Sequence, residues 1–154
     1  MSLLEAQAKY GEINNGAWGE ESKHCTLWAM PEDLRAALVG WVNSATGRPV
    51  IHIYLNKDMA PALEKALRYS VARGLGHLLK TFDGCFMKRD VRGQPGTPSS
   101  HSWAGALDIN AATNQLGTEG DISEELGACF EDAGFIWGKR FHRCDPMHFS
   151  WLGW

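Results

Sequence analysis

The sequence lacks the features that mark nucleic-acid binders, membrane proteins and secreted proteins. Its fifteen Lys and Arg residues are balanced by eighteen Asp and Glu, for a formal net charge of -3, so no basic excess favours nucleic acid as a partner. No apolar run approaches the length needed to cross a bilayer, and we expect no membrane insertion. The N-terminus has no basic start followed by a long apolar segment, which predicts synthesis in the cytoplasm without a signal peptide.

Cysteine is scarce as well. The four cysteines lie far apart, and no two of them form a Cys-x-x-Cys pair. This spacing argues against a four-cysteine zinc site, so we expect free thiols, most of them in the core. The sequence also has no internal repeat and no Pro-rich linker. Its 154 residues are enough to bury a core without disulfides, and we expect a single domain over residues 1–154.

What the sequence does contain is a series of short helical and extended patterns. Apolar residues at helical spacing, ended in two cases by glycine, predict helices within residues 30–42, 56–74 and 121–134. Alternating or β-rich runs predict strands within residues 50–56, 81–89 and 105–110, and two more within 135–151. The Gly- and Pro-rich residues 90–100 predict a loop. The expected fold class is α+β, a small single domain with helices packed on a short antiparallel sheet.

One stretch, SSHSWAGALDIN at residues 99–110, combines polar groups with a strand-like apolar run. His101 and Asp108 are seven residues apart, and a fully extended chain would hold them roughly 23 Å apart at about 3.3 Å per residue. A chain reversal near Gly105 would instead bring Asp108 back beside His101. A buried strand with a hydrogen-bonded histidine and a capping aspartate is the equally simple alternative.

A second histidine stands in an informative context near the C-terminus, in RCDPMHFSW. Pro146 restricts Asp145 to an extended or turn conformation. Strand alternation from Met147 onward places His148 on the opposite face from its large apolar neighbours. The similarly spaced Glu21 and His24 have no such context, and we expect a surface pair there.

Together these positions form a hydrolytic set. Two imidazoles and one carboxylate, from His101, Asp108 and His148, suit a zinc ion with one coordination position left open. Zinc lowers the pKa of a water towards neutrality and polarises a carbonyl. Asp145 is then the second carboxylate, which takes a proton and passes it to the leaving nitrogen.

These residues resemble the zinc D-Ala-D-Ala metallopeptidase family, which includes D-alanyl-D-alanine carboxypeptidases and phage L-alanyl-D-glutamate endolysins. That family has Ser-x-His, then Gly and Ala, then Asp seven after the His, and later an acidic residue-x-x-His. The matching positions are Ser99, His101, Ala106, Asp108, Asp145 and His148. The resemblance covers roughly residues 20–151 and includes upstream segments such as HCTLWAMPEDLRAA. It implies a Zn²⁺ cofactor held by the His-Asp-His set.

The resemblance also implies roles for residues around the zinc site. Arg89 would bind substrate or stabilise the oxyanion, with Arg92 as the competitor for that role. Apart from the resemblance, the position of Trp103 beside His101 favours a wall of the site over a catalytic group. His142 could line the cleft, but a solvated turn residue is the favoured interpretation. Relatives usually have glycine three residues after the first histidine, where this chain has Ala104 followed by Gly105. We therefore expect Gly105, rather than Ala104, to supply any unusual backbone angle.

The function that the resemblance implies is zinc-dependent hydrolysis of peptidoglycan stem peptides. A phage-type endolysin that cleaves L-Ala-D-Glu is the leading prediction, and it would act on the cell wall in the periplasm after release from the cytoplasm. A D-Ala-D-Ala carboxypeptidase is the first alternative. A relative that binds metal or cell wall without hydrolysis is the second. We expect a monomer, with no separate wall-binding module.

Overall fold

The computed structural model describes residues 1–13 and 19–154. The helices are α1 (Leu3–Tyr10), α2 (Glu32–Ala37), α3 (Ala60–Ala72) and α4 (Glu124–Glu131). The first strands are β1 (Cys25–Ala29), β2 (Val42–Asn43), β3 (His52–Asn56) and β4 (Thr81–Gly84). The later strands are β5 (Asp90–Val91), β6 (Gln94–Pro98), β7 (Ala106–Ile109), β8 (Ile136–Trp137) and β9 (His148–Ser150). Within the described residues, no helix is both long enough and apolar enough to cross a membrane.

The central feature is a five-stranded sheet with the order β2-β4-β7-β9-β8. Its strand pairs are antiparallel except for β2 and β4, which run parallel. Strands β1 and β3 form a separate antiparallel pair, and β5 and β6 form a hairpin. Helices α3 and α4 pack on each other and contribute buried apolar residues to the same core as the sheet. The predicted α+β class is confirmed.

The two longer core helices form for the reasons that their sequences suggest. Helix α3 buries Leu63, Ala66 and Leu67 along one face, and Gly74 follows with a φ of +73°, which glycine adopts without strain. Helix α4 begins one turn later than the predicted segment. Its N-cap is Ser123, whose hydroxyl accepts a hydrogen bond from the Leu126 amide. The helix therefore begins inside the predicted segment 121–134, at Glu124.

Other local predictions need correction. The segment 90–100 is not a loop alone, because residues 90–98 form the β5-β6 hairpin. Gly93 lies in the turn between the two strands, and its φ of +86° lets this short hairpin turn tightly. Strand β4 ends at Gly84, short of the predicted residue 89, and α2 ends at Ala37, short of residue 42.

The cysteine prediction agrees with the structure. Cys25, Cys85 and Cys129 are buried free thiols, and Cys144 is half-buried. Three of the four thus serve as small apolar core residues.

Candidate metal centre and active site

Two polar side chains meet where β7 and β9 pair. Asp108 and His148 are directly opposite each other in the antiparallel register, so their side chains project from neighbouring positions on one face of the sheet. The His148 Nδ1 atom lies 3.1 Å from the Asp108 Oδ1 atom. The residues beside Asp108 in the strand, Leu107 and Ile109, are fully buried in the core. Strand alternation thereby directs Asp108 away from the core and towards His148.

His101 reaches the same point from a short 3₁₀-helix, Ser100–Trp103. Its ring nitrogen Nδ1 lies 2.7 Å from the carbonyl oxygen of Cys85, so Nδ1–H donates and Nε2 is left as the acceptor or metal-binding atom. Nε2 lies 3.0 Å from His148 Nδ1 and 3.3 Å from Asp108 Oδ1. The chain reverses between His101 and Asp108, as one of the two sequence interpretations required.

The backbone of this reversal corrects the glycine prediction. Ala104, with φ 52° and ψ 32°, takes the left-handed conformation, and Gly105 does not. Gly105 is needed for a different reason, because a Cβ atom added there would lie 2.5 Å from the Cγ and Cδ1 atoms of Leu152. Gly105 thus leaves space for Leu152, while Ala104 adopts the strained left-handed backbone conformation.

The three donor atoms suit a zinc ion. His101, Asp108 and His148 each offer one ligand atom, and these atoms all lie within 4.8 Å of one another. Two imidazole nitrogens and one carboxylate oxygen are a common ligand set of catalytic zinc, which keeps a further position for water or substrate. Burial alone would raise the pKa of Asp108, but hydrogen bonds with the two imidazoles outweigh it and hold that pKa well below its usual range. Asp108 is therefore ionised, as a metal ligand must be.

Asp145 lies beside this group, at the turn that leads into β9. Its carbonyl oxygen accepts a hydrogen bond from the His148 amide, and its own amide donates to the carbonyl of Gly138. The carboxylate atom Oδ1 is buried and has no hydrogen-bond partner among the described residues. Burial raises the pKa of Asp145, and the charges of His148 and Arg92 oppose that shift only in part. A half-buried carboxyl group with a raised pKa and an unpartnered oxygen suits proton transfer.

The metal-binding group separates two cavities. The larger cavity, of about 640 Å³, is lined by His148 and Asp145. The smaller one, of about 260 Å³, is lined by His101 and Asp108. Arg89 and Arg92 line both cavities. The two arginines that the sequence left in competition therefore both face the site.

Three expectations about nearby residues have different outcomes. Trp103 is not a wall of the site, because it is buried away from both cavities and its indole N–H donates to the Gly11 carbonyl. His142 is exposed, as expected, and lines the larger cavity. The expected surface pair of Glu21 and His24 is wrong. Glu21 is fully buried and forms an ion pair with Lys88.

Sequence reasoning also missed the residues that hold the site in place. The Ser102 hydroxyl accepts a hydrogen bond from the Arg89 amide and donates to the Arg89 carbonyl, which fixes the arginine's backbone against the His101 loop. Gly138 is required because a Cβ atom there would collide with the Asp145 carbonyl. The Ser-x-His-Ser spacing was a visible signal for Ser102, whereas no local pattern identifies Gly138.

Comparison with known families agrees with this geometry. Residues 92–151 match a family model described as D-alanyl-D-alanine carboxypeptidase, a family of zinc metallopeptidases. The match includes His101, Asp108, Asp145 and His148, and it begins after Arg89. It confirms the resemblance to this family over the C-terminal part of the chain, and it supports a zinc-dependent peptidoglycan hydrolase. Comparisons with curated proteins and with solved structures gave no match.

Proposed function

From the zinc metallopeptidase match over residues 92–151, we propose that this protein is a phage-type endolysin that cleaves the L-Ala-D-Glu bond of peptidoglycan stem peptides. The observation that carries the proposal is the buried His-Asp-His group with Asp145 beside it, placed where two cavities meet. We further propose that the protein is a monomer, is made in the cytoplasm, and reaches the cell wall after release.

His101 Nε2, Asp108 Oδ1 and His148 Nδ1 would hold the zinc ion, since these atoms converge. Bound zinc supplies a water of lowered pKa and polarises the scissile carbonyl. The protein's own contribution to proton transfer is Asp145. Its unpartnered oxygen accepts the proton from the nucleophilic water and delivers it to the leaving nitrogen.

Arg89 supplies positive charge at the same place. Its backbone is fixed by Ser102, and its side chain lines both cavities. A planar guanidinium there can donate two hydrogen bonds to a carboxylate or to the oxygen that becomes negative during hydrolysis. Arg92 shares this position and is the alternative for the same role.

The cavities on both sides of the metal-binding group favour an endopeptidase. An endopeptidase must accommodate several substrate residues before and after the scissile bond, whereas a carboxypeptidase needs room for one residue after it. The larger cavity, of about 640 Å³, is within the range of pockets that hold ligands of many atoms. A D-Ala-D-Ala carboxypeptidase is the second candidate, because that activity is the description of the matching family.

Mass spectrometry of purified peptidoglycan fragments, before and after incubation with the zinc-loaded protein, tests the proposal. We expect new peptides that begin with D-Glu, together with sugar fragments that keep L-Ala. Release of single D-Ala residues without these products would contradict the endopeptidase assignment and establish the carboxypeptidase. Unchanged fragments with a fully zinc-loaded protein would contradict both.

A further inference from the structure

We infer that Arg143 and Arg92 form a subsite for a substrate carboxylate in the larger cavity, and that this subsite selects peptides with an acidic residue after the scissile bond. The inference deepens the proposed function and rests on it. It assigns a role to Arg143, which lies in the connection between β8 and β9 and belongs to neither the metal-binding group nor the proton-transfer machinery.

The position of Asp145 defines which half of the substrate enters the larger cavity. Asp145 lines that cavity and does not line the smaller one. Because the leaving nitrogen must receive its proton from Asp145, the part of the substrate that follows the scissile bond lies on the Asp145 side. The part that precedes the bond then lies in the smaller cavity, beside His101 and Asp108.

The charge of the larger cavity is opposite in sign to that of the whole chain. The chain has a net charge of -3, yet Arg89, Arg92 and Arg143 all line this cavity. Asp145 is the single acidic side chain among its described lining residues. A concave surface with this excess of positive charge concentrates anionic groups.

Among the described residues, ion pairs with carboxylates occupy three other arginines but not the three that line the larger cavity. Arg68, Arg73 and Arg140 each form ion pairs with nearby carboxylates on the surface. Within the part of the chain that the structure describes, no ion pair involves Arg89, Arg92 or Arg143. Guanidinium groups left unpaired in a cleft remain available for a ligand carboxylate.

Arg143 is held where it can meet the substrate. Its Nη1 atom donates a hydrogen bond to the Arg92 carbonyl oxygen at 3.2 Å. The guanidinium lies over Gly93, since a Cβ atom added to that glycine would be 3.5 Å from Nη1. One of the five N–H donors of the group is thereby used to fix it to the β5-β6 hairpin, and others are free for a carboxylate.

This chemistry indicates a specific feature of the substrate. The glutamate of the proposed substrate supplies the leaving nitrogen. When this glutamate is linked to the next residue through its side chain, its α-carboxylate stays free. Amidation of that carboxylate removes the charge and leaves the shape nearly unchanged. The subsite should therefore distinguish stem peptides with free glutamate from those with amidated glutamate.

The test uses two synthetic stem peptides that differ only in this carboxylate, free or amidated, with the zinc-loaded full chain. We expect wild type to cleave the amidated peptide about tenfold less efficiently in kcat/KM, as is typical of a lost charge-assisted hydrogen bond. Arg143→Gln should lose about that factor on the free-carboxylate peptide and little on the amidated one. Arg48→Gln is the matched control, because Arg48 is exposed and outside both cavities.

The two peptides and the Arg143→Gln variant give outcomes that either support or overturn the carboxylate subsite. Equal cleavage of both peptides by wild type overturns the subsite and leaves the proposed function standing. An Arg143→Gln variant that still prefers the free carboxylate tenfold also overturns it, as does one that loses activity equally on both peptides. Failure of the zinc-loaded wild type to cleave either peptide would contradict the proposed function itself, and the subsite with it.

Discussion

The metal-binding group and the arginine-bearing rim of the site are built in opposite ways. His101 and His148 are 2% and 6% exposed. The pairing of β7 with β9 fixes the direction of the His148 side chain, and a buried hydrogen bond to a backbone carbonyl fixes that of His101. Arg92 and Arg143 are exposed, and Arg89 is half-buried. The buried group suits a permanent occupant such as a metal ion, whereas the rim suits a substrate that enters and leaves. Substitutions in the two regions should therefore separate metal binding from turnover.

Asp145→Asn should give the largest loss of turnover among variants that keep the metal. The amide cannot take up and release a proton, and general acid-base catalysis is typically worth about 10²–10⁴-fold. Stem-peptide hydrolysis measured alongside zinc content checks this expectation. If Asp145→Asn loses the metal while Asp108→Asn keeps it, the roles of the two carboxylates have been exchanged.

Arg89→Ala should reduce turnover by about 10- to 100-fold, as expected for the loss of hydrogen bonds to a charged group. Zinc content should not change, since Arg89 belongs to the rim. Arg89→Lys should rescue activity incompletely because an ammonium lacks the planar fork. Steady-state kinetics decide between the two arginines. Near-normal values for Arg89→Ala, together with a collapse for Arg92→Ala, would transfer the role to Arg92.

Gly105→Val tests the buried region that holds the metal-binding group. The new Cβ atom would lie 2.5 Å from Leu152 atoms, and overpacking of this kind costs about 1–3 kcal/mol. The strain falls between His101 and Asp108, so zinc affinity should fall together with the free energy of unfolding. Metal titration and denaturant unfolding measure both. Wild-type zinc affinity in this variant would show that the loop adapts independently of the metal site.

Ala104→Gly should have the smallest effect. Glycine relieves the left-handed strain at this position, but it also increases the entropy of the unfolded chain. We expect the free energy of unfolding to change by less than about 1 kcal/mol, with zinc binding retained. Denaturant unfolding measures this change. A loss of several kcal/mol in the free energy of unfolding would show that the Ala104 methyl group has an essential packing role.

The parts of the site that could be predicted from sequence are those encoded by short-range patterns. Alternation in ALDIN and MHFSW identified β7 and β9 and the faces of Asp108 and His148. Their direct pairing could not be read from these patterns, because register depends on contacts between segments forty residues apart. The family motifs supplied that link.

Two of the predictions that failed, for Glu21 and Gly105, depended on long-range contacts. Glu21 looked like a surface residue because its partner, Lys88, is distant in sequence. The need for Gly105 comes from Leu152, not from the backbone angle that its sequence neighbours suggested. The composition of the Gly- and Pro-rich residues 90–98 favours a loop, and the hairpin that they form escapes prediction because its strands β5 and β6 are short. For Glu21 and Gly105, tertiary packing determined the structure, and local propensity did not.

Zinc content and activity, measured on the same preparation, test the central claim most directly. Elemental analysis of wild-type protein purified without added metal should find about one zinc per chain. Removal of that zinc by a chelator should abolish stem-peptide hydrolysis, and His148→Ala should bind far less zinc. A chain that contains no zinc and yet hydrolyses stem peptides at the full rate would contradict the account.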